Sequence, residues 1–86
     1  MHEVVFAEGA FKIYDRLPRN LKERVNRVIE ERLEKEPFLY GEPLRYGFIG
    51  FWKIRTGKLR IIYKPEDTGR IVITDMDFRK EVYGQH

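Results

Sequence analysis

Apolar residues recur with two different periods along this 86-residue chain, and the change of period divides it. Val4-Val5-Phe6 is a β-favouring run and predicts a first strand over Glu3–Phe6. Phe11, Tyr14 and Leu17 then follow at three-residue spacing, which predicts a short helix, weakened near its start by Gly9. The clearest helical pattern comes next. Leu21, Val25, Val28, Ile29 and Leu33 fall at i, i+4, i+7, i+8 and i+12, one face of a 3.6-residue period, and predict a helix over 18–36. Asn20 followed by Glu23 has the form of a capping box. Pro37 ends the helix because it forces Glu36 out of the α region. The opposite face mixes both charge signs and reads as solvated surface.

Pro37 to Pro43 is a connector, after which the period becomes two. Leu44–Tyr46, Phe51–Thr56, Leu59–Lys64 and Ile71–Met76 are the predicted strands, with a turn over 65–69. Ile71–Met76 carries apolar residues of both parities, which places it inside the sheet. Arg79–Tyr83 is a tail of about one helical turn. The predicted fold class is α+β, in the order β-α-α-β-β-β(-β), with two N-terminal helices packed on one face of a small antiparallel sheet. The whole of 1–86 is expected to be a single domain.

The segment around Gly57 is the most informative. With Gly57-Lys58 as a two-residue hairpin turn, Thr56 opposes Leu59, Arg55 opposes Arg60, Ile54 opposes Ile61, Lys53 opposes Ile62 and Trp52 opposes Tyr63. One face then receives Trp52, Ile54, Leu59, Ile61 and Tyr63. The other receives Lys53, Arg55, Arg60 and Lys64, with Phe51 and Ile62 between them. A one-residue slip would set charges against the core, so burial selects this register. Arg55 opposite Arg60 is repulsive, and no acid lies between Gly50 and Lys64 to offset it. An anionic ligand would supply the missing charge; the bland alternative is a set of snorkelling surface cations.

Composition sharpens this picture. There is no cysteine, which excludes disulfides and thiolate metal sites and fits an intracellular compartment. No apolar run approaches the length of a membrane span, and the N-terminus lacks the basic and apolar regions of a signal peptide, so a soluble, cytoplasmic protein is expected. The net charge is +3, unevenly spread: residues 1–43 carry eight Lys/Arg and nine Asp/Glu, residues 44–86 nine and five. A basic half beside a near-neutral half points to an anionic partner, most often a nucleic acid.

Residues 50–63, Gly-Phe-Trp-Lys-Ile-Arg-Thr-Gly-Lys-Leu-Arg-Ile-Ile-Tyr, resemble the central hairpin of RelE/ParE toxins. Leu44-Arg45 resembles the Leu-Arg that precedes this hairpin, and 79–83, Arg-Lys-Glu-Val-Tyr, resembles the family's closing motif. The Leu17-Pro18 step and the long helix also match. The resemblance spans essentially the full chain and implies a RelE-like toxin domain acting as a ribosome-associated mRNA endoribonuclease that needs neither metal nor other cofactor. It implies Lys53 as general base for the RNA 2′-hydroxyl and Arg55 and Arg60 as phosphate-binding groups. Arg79 and Tyr83 would serve the leaving group, phosphate or base. Arg45, Lys58, Lys64, Lys80 and Phe51 are further candidates for holding RNA; the plainer roles are sheet-edge plug for Tyr83 and gap-filler for Phe51. The implied partners are a cognate antitoxin, the ribosome and mRNA.

One departure matters. Many relatives place Gly-His before the closing arginine, where this chain has Asp77-Phe78. Phe78 transfers no proton and Asp77 brings a negative charge near a phosphate site, so catalysis through that histidine is excluded and weak or altered activity is expected. His86 is a possible substitute, against its being a free tail residue. Two other functions share the resemblance: a ParE-like DNA gyrase poison, and a catalytically silent antitoxin- or RNA-binding member of the same fold.

Overall fold

A computed structural model describes residues 1–78; the expectations for Arg79, Lys80, Tyr83 and His86 lie outside the described residues. Strand β1 (Val4–Phe6) leads into helix α1 (Glu8–Asp15) and helix α2 (Arg19–Val28). A π-helical turn (Ile29–Leu33) extends α2, followed by the single turn α3 (Pro37–Tyr40). Strands β2 (Glu42–Pro43), β3 (Trp52–Thr56), β4 (Leu59–Pro65) and β5 (Ile71–Phe78) complete the order. The sheet runs β1-β5-β4-β3-β2. The α+β layout is the expected one, but the sheet is mixed rather than antiparallel. The two helices carry the chain across the sheet before it returns, so β1 lies parallel to β5, with Val4 opposite Ile71 and Phe6 opposite Ile73.

The apolar stripe of the helices meets one face of the sheet. Ala10, Leu17, Val25, Val28 and Leu33 pack on Ile54, Leu59, Ile61, Tyr63, Ile71, Ile73 and Met76. The π turn is closed by the Glu34 N–H bonding the Ile29 carbonyl at 2.9 Å, with Val28 just before the turn and Leu33 at its end. Both are buried. The capping box is not formed. Helix α2 begins at Arg19 with Pro18 as its cap, and no side chain caps it. Pro18 already holds φ −58, and its carbonyl accepts from Leu21 and Lys22, which puts Asn20 inside the first turn. Glu36 is expelled from the helical region as expected, at φ −143.

Two strand expectations change, one in its place and one in its cause. Leu44–Tyr46 is not a strand. Tyr46, Gly47 and Gly50 adopt positive φ of 59, 89 and 89 and turn the chain away after a last Leu44 N–H to Phe51 carbonyl bond. The edge strand instead comprises Glu42 and Pro43, where a proline is tolerated. Strand β5 does lie inside the sheet, but its double parity has another origin. Ile62 faces Asp75 while Tyr63 faces Ile73, so Thr74 is an extra residue, a β-bulge. Ile71 and Ile73 are buried before it and Met76 after it, with the parity reset between them.

Tyr63 anchors the connector. It is fully buried, its hydroxyl donates to the Pro37 carbonyl at 2.6 Å, and burial raises its pKa well above the ordinary tyrosine value. Gly41 lies against that hydroxyl so closely that a Cβ there would overlap it. No helix among the described residues is long and apolar enough to cross a membrane.

Candidate functional site

The β3–β4 hairpin has the expected register at every one of its five pairs, including Arg55 opposite Arg60 and Lys53 opposite Ile62. Gly57 has φ +61 and Lys58 does not share the positive sign, the pattern of a turn with glycine at its first central position. Ile54, Leu59, Ile61 and Tyr63 go to the core. The opposite face of the sheet forms the floor of an open groove of about 1070 Å³.

Lys53, Arg60, Arg45 and Phe51 line this groove together. On the sheet, Lys53 and Arg60 are diagonal neighbours, and such positions lie roughly 7–8 Å apart at the backbone. Arg55 does not line the groove. It lines a smaller cavity of about 350 Å³ on the β3 edge, which shares Lys53 and Glu42 with the groove. Lys64 is exposed and sits over the Phe51 ring at 5.3 Å, so Phe51 already has a cationic neighbour. Lys58 is exposed at the hairpin turn.

The expectation of uncompensated cations is overturned for Arg60. Its Nε and Nη2 donate to the two carboxylate oxygens of Asp77 at 3.1 and 2.8 Å. The reason is topological: no acid lies on the hairpin itself, but β5 pairs with β4 and sets Asp77 directly opposite Arg60. That hydrogen bond raises the Arg60 pKa; desolvation opposes the rise, and the charges of Asp77 and Asp75 add to it. Lys53 has a looser neighbour in Glu42, 3.9 Å away and directly opposite on β2. Among the described residues, Arg45, Arg55 and Lys64 have no carboxylate within 4 Å.

Sequence reasoning missed the rest of the groove. Tyr46 and Phe48 stand on its rim, 92% and 57% exposed, on the loop that replaces the expected strand. Thr74 and Asp75 enter from β5 because the bulge turns both toward it. The signal was present as two adjacent polar residues interrupting the run from Ile71 to Met76. The arrangement combines cations that can neutralise a phosphate, exposed aromatic rings that can stack a base and a carboxylate that can accept from a base amino group. No group of three or more His, Asp or Glu side chains among the described residues is placed to hold a metal ion.

The model of the ParE toxin of type II toxin-antitoxin system, parDE, matches residues 4–83. The chain belongs to the RelE/ParE toxin superfamily. As a member of this superfamily it is a toxin of the type II toxin–antitoxin class. It is similar to toxin RelG of Mycobacterium tuberculosis, 29% identical over 83 residues that cover 95% of each chain. Its fold is similar to a chain of the RelBE2 toxin–antitoxin complex from the same organism, with a TM-score of 0.83 and 29% identity over 91% of this chain and 98% of that one. The isolated Escherichia coli RelE toxin superposes with a TM-score of 0.79 at 22% identity, covering 99% of this chain and 94% of that one. A chain of the archaeal RelE–RelB complex from Pyrococcus horikoshii superposes with a TM-score of 0.71 at 22% identity, covering 93% and 97%. At 22% identity, the last two are likenesses of fold.

Proposed function

We propose that this toxin is a ribosome-associated mRNA endoribonuclease that uses the RNA 2′-hydroxyl as nucleophile. The observation that supports this most is the placement of Lys53 and Arg60 on the floor of one groove with exposed aromatic residues on its rim. RNA carries its own nucleophile, which DNA lacks. Lys53 is the general base that takes the 2′-hydroxyl proton as the oxygen bonds to phosphorus. The bond to the 5′-oxygen breaks, leaving a 2′,3′-cyclic phosphate and a 5′-hydroxyl once that oxygen takes a proton from solvent or from the C-terminal segment, where Arg79 and Tyr83 are the candidates. Charge on the pentavalent phosphate is met by Arg60 from the floor and by Arg55 from the edge, interactions of the kind that strengthen as the transition state forms. Asp77 occupies two of the five Arg60 donors and leaves three.

A cognate antitoxin is the expected partner, because similar chains occur in complexes with antitoxins. The competing reading is a gyrase poison of the ParE kind. The Arg60–Asp77 pair favours it, because a bound carboxylate lowers the demand for a phosphate. Induction of the toxin separates the two readings. An immediate stop in translation with new primer-extension ends inside translated messages supports the endoribonuclease. An arrest of DNA replication with intact messages supports the gyrase poison and removes the endoribonuclease.

A further inference from the structure

Beyond the groove lies a second cationic surface, built partly from the helix that the sequence pattern left as solvated. The edge cavity is lined by Arg32, Tyr40, Glu42, Lys53, Ile54 and Arg55. A third cavity, of about 220 Å³, adjoins it through Arg32 and is lined also by Arg24, Arg27, Glu31 and Thr56. The three cavities thus share residues in sequence and run from the sheet face, around β3, to the outside of α2.

Several features set this path. Strand β2 pairs with β3 only at Trp52 and Lys53, so the edge from Ile54 to Thr56 has no β2 partner. Arg32 lies on the π turn and lines both the edge cavity and the third one, so it joins that edge to Arg27 of α2. Arg32 also lies 5.8 Å from the Tyr40 ring centre. Arg24 reaches the hairpin turn: a Cβ added at Gly57 would be 2.7 Å from its Nη1. The edge cavity and the third one together are lined by five cations (Arg24, Arg27, Arg32, Lys53 and Arg55) and two acids, Glu31 and Glu42, of which Lys53 and Glu42 are shared with the groove. Among the described residues none of the four arginines has a carboxylate within 4 Å, although Glu31 is one helical turn from Arg27.

We propose that an RNA strand held in the groove continues past the β3 edge onto α2, where Arg27 and Arg32, with Arg24 behind them, bind phosphates flanking the cleaved position. This rests on the endoribonuclease reading and adds a length to the substrate: the groove takes the reacting nucleotides and the arginine path takes the next ones. Charge complementarity and continuity with the groove select a phosphate backbone, and the same strand is the polymer already present at the entrance.

The test uses the full chain and single-stranded RNA that is 2′-O-methylated throughout, so that it cannot be cleaved, in lengths of about four and about twelve nucleotides, the range of single-strand site sizes. Affinity is measured across a salt series for the wild type, for the double variant Arg27→Gln/Arg32→Gln, and for a control lacking two cations elsewhere, Lys12→Gln/Arg70→Gln. The expected result is that the wild type and the control bind the longer RNA more tightly than the shorter. The double variant should lose this advantage, with its log–log salt slope on the longer RNA reduced by up to about 1.4, or about 0.7 for each phosphate contact. Its affinity for the shorter RNA should be unchanged, which also shows that it is folded. Equal losses on both lengths, or none on the longer, overturn the arginine path. A wild type that binds both lengths equally, or binds neither, overturns the path alone; the functional reading stands or falls separately, on message cleavage after induction.

Discussion

Arg60 and Asp77 face each other across β4 and β5 in a two-point ion pair, at 3.1 and 2.8 Å. The pair is half-open to solvent, since the Asp77 side chain is 42% exposed. It does two opposing things. It fixes the guanidinium in one orientation and keeps it charged. It also places a negative charge beside the atoms proposed to receive a phosphate.

Removing that charge without removing the oxygen separates the two effects. In Asp77→Asn the side chain keeps one acceptor for Arg60 but no longer repels phosphate. RNA affinity should rise by up to about fivefold, the equivalent of an exposed pair of about 1 kcal/mol. Binding of 2′-O-methylated RNA measures it, and weaker binding would mean that Asp77 matters more for orientation than for charge.

Arg60→Ala and Lys53→Ala should fail in different ways. Arg60 lies outside the core, and its partner is partly solvated, so truncation should change stability by no more than about 1 kcal/mol while cleavage falls by about 10²–10³. Lys53→Ala should slow single-turnover cleavage by about 10²–10⁴ with little loss of RNA binding. Parallel losses of rate and affinity in Lys53→Ala would make Lys53 a binding residue only.

Gly41 should resist any side chain. Its backbone is extended, so the constraint is the Tyr63 hydroxyl beside it rather than conformation. Gly41→Ala displaces that hydroxyl from the Pro37 carbonyl and overpacks the site, at about 2–4 kcal/mol. Adding Tyr63→Phe removes the colliding atom and should recover part of the loss. Thermal unfolding of the two single variants and the double variant reads this coupling; additive losses would show that the two residues do not meet as described.

The buried phenol also sets an alkaline limit. Burial raises the Tyr63 pKa in the folded chain. Below about pH 10 both folded and unfolded chains keep that proton, and the stability it represents is fully present. Above pH 10 the unfolded chain releases it and the folded chain does not, so stability falls as pH rises, by up to about 1.4 kcal/mol per pH unit from this group. Urea midpoints between about pH 9 and 11 should show this fall in the wild type and a shallower one in Tyr63→Phe. Equal slopes would assign the alkaline loss to other groups.

The hairpin was legible because burial leaves one register, and five residue pairs follow from the alternation between Trp52 and Tyr63. Helix α2 was legible from its apolar stripe, whereas the stripe read for α1 was offset, since Phe11 is exposed and Ala10 is buried. What escaped was set by contacts distant in sequence. No local pattern says that Asp77 will stand opposite Arg60, because strand order decides it. Arg24, Arg27 and Arg32 lie in the near-neutral half of the chain, yet they adjoin Thr56 and Arg55 in space. A charge count by halves divides a surface that the fold joins. The bulge at Thr74 escaped although its mark was local: the broken alternation of β5 was read as interior placement, and Asp75 in the groove is the bulge's consequence.

The chemistry of the cut ends tests the central claim most directly. Purified toxin is added to ribosomes carrying a defined message, and the fragments are resolved by mass. The expected result is an upstream fragment ending in a 2′,3′-cyclic phosphate and a downstream fragment beginning with a 5′-hydroxyl, both abolished by a 2′-deoxy substitution at the cleaved nucleotide. Intact message, or cleavage that survives the deoxy substitution, would contradict a Lys53-assisted attack by the 2′-hydroxyl.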